Sequence, residues 1–210
     1  MTRLVFQNRK LILASASPRR REILQAAGIA FDVIPTELPE RPEEAESTEE
    51  FVRRMAAEKA KAAFARIAQP CQWPILGADT VVVIGKRILG KPASQEEARQ
   101  MLRWLSGQEH QVLTGLCLLY PPEQWPRSRS EPDMDVRVAV TGVKFCELSE
   151  EEMEQYIATG EPFDKAGGYA IQGQASKFVE WVRGCYFNVV GLPVSLLYQM
   201  LQRFEAKRRE

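Results

Sequence analysis

Short apolar runs alternate with amphipathic stretches along the chain, each bounded by Gly, Pro, Ser or acidic residues, and this pattern reads as strands interspersed with helices. "RKLILAS" (9–15) reads as an apolar strand. "PRRREILQAAG" (18–28) reads as a helix, with Ser17 at the N-cap, Pro18 at the first helical position and Gly28 as the stop. "AFDVIPT" (30–36) is a second strand, so the chain opens β-α-β. The acidic loop "PERPEEAESTEE" then leads into a helix from about Thr48 to Ala68, with Phe51, Met55, Ala62 and Ala65 at partly helical spacing.

"WPILGADTVVVIGKRILGKP" (73–92) reads as a strand, a Gly-Lys turn and a returning strand. With Gly85 and Lys86 as a two-residue II′ loop, Ile84 faces Arg87 and Thr80 faces Lys91, which makes Asp79 and Lys91 neighbours. "SQEEARQMLRWLSG" is an amphipathic helix with a Ser N-cap and a Gly stop, followed by a strand near 110–120. "PPEQWPRSRSEP" is a loop, and "DVRVAVTGVKF" should pair with the preceding strand as a hairpin. The helices "SEEEMEQYIATG" and Pro193–Lys207 flank a long Gly-rich run (161–193) that reads as mostly irregular and as a binding loop rather than a packing element.

At 210 residues the chain is expected to form one domain. Lys plus Arg equals Asp plus Glu at 28 each, so no whole-molecule field attracts nucleic acid or an anionic membrane, and any cationic site must be local. No stretch approaches the roughly 20 apolar residues of a membrane span, and "MTRLVFQNRK" lacks the apolar core of a signal peptide, so a cytoplasmic protein is expected. Cys71, Cys117, Cys146 and Cys185 have no metal-site spacing and read as reduced core thiols. His110 is the sole histidine and reads as structural or surface-exposed, which disfavours acyl-transfer chemistry through a Ser-His or Cys-His pair. Nothing in the sequence sets the oligomeric state, and a homodimer is compatible with it.

Three arginines in the first turn of a helix are locally unfavourable unless an anion joins them. On the residues alone, Arg19 and Arg20 read either as a solvated helix face or, with the helix N-terminus after Ser17, as an anion site; Lys59 and Lys91 are further cations on separate segments. Asp79 interrupts a β-branched strand, and a buried carboxylate there needs a partner, either Lys91, an Asx turn or a metal.

"SASPRRREIL", "EKAKA", "GADTVV", "GKP", "DKAGGYAIQG" and "YFNVVGLP", in this order from Leu13 to about Leu196, resemble the Maf-like family of nucleoside triphosphate pyrophosphatases. The resemblance implies an α/β fold of the inosine-triphosphate-pyrophosphatase type, with a mixed central sheet flanked by helices and a cleft between two lobes. It implies hydrolysis of a nucleoside triphosphate to the monophosphate and pyrophosphate with a divalent metal, magnesium or manganese in its place. By the same resemblance Asp79 is the general base, Ser17, Arg20, Lys59 and Lys91 meet phosphate, and Glu40 helps Asp79 with the metal. A free carboxylate, with a pKa of about 3.9, is a feeble base at neutral pH, and a metal that brings water toward roughly 7 closes much of that gap.

"DKAGGYAIQG" resembles the branch acting on dTTP and UTP rather than the branch acting on 7-methyl-GTP, and Arg19, Thr80 and Gln172 match the positions that distinguish the two. Gln172 can offer a donor and an acceptor to the O4/N3–H edge of thymine or uracil. Ala170 stands where that branch commonly has Gly, and a positive φ there would be strained. Because members of the family are connected with arrest of cell division, a nucleotide-sensing regulator acting through protein contacts is the alternative. RNA binding, suggested by scattered arginines and Trp125, is disfavoured by the balanced charge.

Overall fold

The computed structural model describes residues 10–67, 71–122 and 132–207. Its strands are β1 (Lys10–Ala14), β2 (Ala30–Val33), β3 (Ile75–Ile84), β4 (Arg87–Leu89), β5 (Glu109–Tyr120), β6 (Asp133–Phe145) and β7 (Val179–Arg183). The helices are α1 (Pro18–Ala26), α2 (Thr48–Phe64), α3 (Gln95–Leu105), α4 (Glu150–Ala158), α5 (Tyr186–Val190) and α6 (Val194–Lys207). The strands form one mixed sheet in the order β2-β1-β3-β5-β6-β7, with β4 paired to β3. The α/β class with a mixed central sheet and flanking helices is therefore the fold of this chain. β1 pairs in parallel with both β2 and β3, and the opening β1-α1-β2 is as expected.

Chain contacts divide into two compact units, Met1–Asp79 with Gly115–Val138 and Gly191–Glu210, and Thr80–Thr114 with Ala139–Val190. In the first, α2 buries Phe51, Val52, Met55, Ala56, Ala60 and Ala63. The expected Ala62 and Ala65 are not on that face, because in an Ala-rich helix the alanines cannot mark which side is inward. The helix also stops at Phe64, with Ala65 as its C-cap, rather than reaching Ala68, which lies outside the described residues. A Cβ on Gly77 would come within 2.0 Å of the Ala56 carbonyl oxygen, and one on Gly115 within 2.1 Å of that of Val52. These two glycines let the backbone of α2 lie directly on β3 and β5.

The second unit holds the hairpin. Val82 pairs with Leu89, Val83 with Ile88 and Ile84 with Arg87, the expected register. Gly85 has φ +58, while Lys86 is not among the residues with positive φ, as a II′ turn requires. The pairing ends at Leu89, because the Gly90 carbonyl instead accepts from the Gly167 amide at 2.9 Å, so Thr80 and Lys91 are not register partners. In α3, Leu102 and Leu105 face the core, and Arg103 binds Glu150 of α4 through Nε at 2.9 Å and Nη2 at 2.8 Å. The run expected to be irregular contains three short 3₁₀ turns, α5 and β7; β7 pairs antiparallel to β6 with an irregularity at Lys144/Phe145. Of the four free thiols only Cys71 and Cys117 are buried, so the expectation of core thiols fails for Cys146 and Cys185. Among the described residues no helix is long and apolar enough to cross a membrane. Trp125 and most of the 121–132 loop lie outside the described residues.

His110 is 1% exposed, edge-on to Phe145 and Tyr169, with Nε2 at 2.8 Å from the Tyr169 hydroxyl. Its role is structural and not on the surface. Burial brings its pKa from 6.5 down to about 4. Below 6.5 the unfolded chain takes up a proton that the folded one refuses, so this residue costs stability as pH falls, up to about 3 kcal/mol by pH 4. Urea titrations from pH 7 to 4.5 should show His110→Asn losing less stability on acidification than the parent; parallel pH slopes would contradict this. Gly77→Ala should destabilise the fold by about 1–3 kcal/mol through overpacking, read as a lower urea midpoint at unchanged slope.

Candidate active site

Ser15 through Arg20 build the first wall of the site where β1 passes into α1. Pro18 opens the helix, and its first turn holds no acidic residue. Ser17 occupies the N-cap, but its side chain makes no capping bond; its own amide donates to Ser15 Oγ at 3.3 Å. Of the three arginines, Arg21 is exposed, Arg19 half-buried and Arg20 only 8% exposed. Arg20 Nε donates to the Gly191 carbonyl and Nη1 to Ser15 Oγ, both at 2.9 Å. Burial pushes its pKa below the ordinary value, opposed by Asp79 and Glu40 and assisted by Arg19, so all four charges act within one neighbourhood. For Arg20 the solvated-face reading is excluded. Ser15 and Gly191 were not anticipated as site residues. The only signal for them was their presence in the "SAS" and "GLP" segments.

Lys59 lies on the inward face of α2, and Asp79 on β3 where Gly77 admits that helix. Lys59 Nζ donates to Asp79 Oδ1 at 2.6 Å and to Glu40 Oε1 at 2.5 Å. The Lys59 and Asp79 side chains are 8% and 4% exposed, against 48% for Glu40. The ion-pair partner of Asp79 is thus Lys59, 20 residues away, and not Lys91 as the hairpin register suggested. The loop carrying Glu40 is pinned to α2 by Arg54. Its Nε and Nη2 grip Glu46 at 2.7 and 2.8 Å, and Nη2 also donates to the Arg41 carbonyl at 3.0 Å. That fork holds the Glu46 carboxyl below its usual range, and Ser47 with Glu50 closes a capping box at the start of α2.

Two carboxylate oxygens on one ammonium are a hard-oxygen donor set. Among the described residues no group of three or more His, Cys, Asp or Glu is arranged around a common point. Two carboxylates fit a hard divalent cation that takes its remaining ligands from phosphate and water, the habit of magnesium.

Thr80, Lys91 and Gln172 belong to the second unit. Thr80 Oγ1 is 2.9 Å from Thr114 Oγ1, and Lys91 and Gln172 are exposed. The loop bearing Gln172 is anchored on its N-terminal side at two points. Gly167, at φ +70, sits where a Cβ would come within 2.8 Å of Val82, and the Tyr169 hydroxyl meets His110. Ala170 does not adopt a positive φ, so its Cβ causes no backbone strain there.

A family profile described as Maf-like protein matches residues 10–204. The dTTP/UTP pyrophosphatase of Desulforamulus reducens is 46% identical over 196 residues, covering 93% of this chain and 97% of that protein. That of Clostridioides difficile is 43% identical over 194 residues (92% and 94%), and that of Shigella dysenteriae 44% over 200 residues (95% of each). Among solved structures, the Ham1 protein of Staphylococcus aureus is similar at TM-score 0.46 and 16% identity, over 93% of this chain and 99% of that one. Matched along nearly the whole of its described length and at more than two-fifths identity to these relatives, the chain belongs to the Maf-like protein family.

Proposed function

We propose that the protein hydrolyses dTTP and UTP to the monophosphate and pyrophosphate, as the names of its relatives state for them. The observation that carries this reading is the Lys59 ammonium held between Asp79 and Glu40 beside the buried Arg20. It is a compact set of cations and carboxylates of the kind a polyanion attacked by water requires. Arg20, fixed by Gly191 and Ser15, aims its guanidinium at the phosphate end. Arg19 and the amides at the start of α1 after Ser17 add positive potential for the remaining oxygens, and Lys91 is assigned to phosphate on the family resemblance alone. Asp79 orients the attacking water and accepts its proton. The oxygen then bonds to the α-phosphorus, the bond to the bridging oxygen of the β-phosphate breaks, and the electron pair leaves with pyrophosphate. Lys59 stabilises the charge that develops on that leaving group. Asp79 and Glu40 would hold the divalent ion, magnesium or manganese, whose chemistry is neutralisation of phosphate charge and acidification of water. Arg19, Thr80 and Gln172 stand at the positions that separate the two family branches, and Gln172 is assigned to the base edge on that resemblance.

The purified protein should release pyrophosphate, and not orthophosphate with a nucleoside diphosphate, from dTTP and UTP. Excess EDTA should abolish turnover, with recovery on adding magnesium. Asp79→Asn should remove hydrolysis while nucleotide binding persists; a regulator that merely senses nucleotide would lose nothing it needs. Full activity in chelator would remove the metal from this scheme.

A second series separates the phosphate end from the base end. Arg20→Ala should lower kcat/KM for dTTP, UTP, CTP and GTP alike, by about 1.5–3 kcal/mol for one charge-assisted contact. Gln172→Ala should shrink pyrimidine selectivity and leave triphosphate binding largely intact. Arg19→Ala should change the ranking of bases as well as the rate. If Arg20→Ala changed base preference and Gln172→Ala did not, the two ends would be reversed.

A further inference from the structure

Gln172 sits in a tight turn whose downstream end is gripped by a carboxylate that the scheme above does not use. The Gly173 amide donates to the Ala170 carbonyl at 3.0 Å, closing a four-residue turn with Ile171 and Gln172 at its centre. Neither central residue has a positive φ, which excludes the turn types that need one. Ile171 is buried and Gln172 exposed, so the turn tucks its first central side chain inward and presents the second.

The carboxylate is that of Glu161, delivered by the end of α4. Gly160, at φ +76, stops the helix, and its amide donates to the Ile157 carbonyl at 3.0 Å. Thr159 Oγ1 accepts from the Glu161 amide at 3.1 Å while donating to the Tyr156 carbonyl at 2.6 Å. So placed, Glu161 accepts from the Tyr156 hydroxyl through Oε1 at 2.9 Å and from the Gln174 amide through Oε2 at 3.0 Å. Both donors are neutral, so these bonds direct the carboxylate rather than neutralise it. The Tyr156 ring is buried and edge-on to Phe178, with centroids 5.5 Å apart, which gives the carboxylate a rigid support. A Cβ on Gly173 would come within 2.3 Å of Glu161 Oε2. Glu161 therefore occupies the space of a side chain at 173, and this contact is what the glycine of "IQG" permits.

We propose that Glu161 is a positioning residue: by holding the Gln174 amide and filling the space beside Gly173, it sets where the Gln172 carboxamide stands and thereby sharpens the choice among bases. The inference rests on the proposed hydrolysis of dTTP and UTP and on Gln172 meeting the base edge. A carboxamide carries its donor and its acceptor on different atoms, and hydrogen bonds weaken steeply when misaligned. A turn free to shift at Gly173 would let the carboxamide meet a wrong base edge about as well as the right one.

The test begins with a readout independent of turnover. Backbone hydrogen exchange at Gln174 should speed up about 10-fold or more in Glu161→Ala. The ratio of kcat/KM for UTP to that for CTP should fall about 5-fold or more in Glu161→Ala, and by a similar factor in Gly173→Ala, which keeps the carboxylate but displaces it. Glu161→Gln should stay within about 2-fold of the parent, because its carbonyl oxygen can accept from the Gln174 amide while its NH₂ donates to the phenol oxygen. In a chain already carrying Gln172→Ala, Glu161→Ala should lower the ratio no further. A purely structural role would instead lower UTP and CTP together. That outcome, unchanged exchange at Gln174, an unchanged ratio in Glu161→Ala or Gly173→Ala, or an effect that adds to Gln172→Ala, overturns this inference alone. A parent protein that releases no pyrophosphate from dTTP or UTP, or whose ratio is untouched by Gln172→Ala, overturns the reading on which it rests and the inference with it.

Discussion

The closeness of α2 to the sheet is the constraint on which the first unit depends. A lysine ammonium and an aspartate cannot be withdrawn from water unless each finds its counter-charge at hydrogen-bond distance, and here the geometry leaves no slack. With an ordinary side chain at position 77 or 115 the helix would ride further out, and Lys59 could not reach Asp79. The first residue of "GADT" is therefore a spacing device for its third. The same helix also carries Arg54, which holds the loop that delivers Glu40. One close backbone approach thus sets the position of both carboxylates.

Buried ion pairs of this sort are a poor way to gain stability, since well-packed apolar residues often do as well or better. Their value lies in keeping charge oriented before a ligand arrives. Lys59 and Arg20 are each held by acceptors from more than one segment, so a triphosphate entering here would meet donors whose directions are already fixed. The ordering cost has been met during folding rather than at binding.

Local features were legible in the sequence and distant ones were not. The opening β1-α1-β2, the hairpin register and the serine caps of α3 and α4 follow from periodicity and turn chemistry within a dozen residues. β7 escaped notice because it pairs only with β6 and is half-exposed, so Val179, Trp181 and Val182 are mixed with Glu180 and Arg183 and give no clean alternation. The hairpin made Lys91 the natural partner of Asp79, whereas the actual partner comes from a helix whose lysine looked like any surface residue. Arg20 and Gly191 are 171 residues apart, and nothing short of the fold brings them together. The candidate site residues were named from their family resemblance. Their mutual bonds, and the contacts of Ser15 and Arg54 that hold them, arise only from the fold.

His110 is the chain's only imidazole, and it is committed to an aromatic core against Tyr169 and Phe145. The candidate site is therefore a cluster of carboxylates, ammonium and guanidinium groups, with no histidine among them. A change in turnover across the near-neutral range therefore cannot be assigned to an imidazole of that cluster, because the one imidazole of the chain lies in the aromatic core.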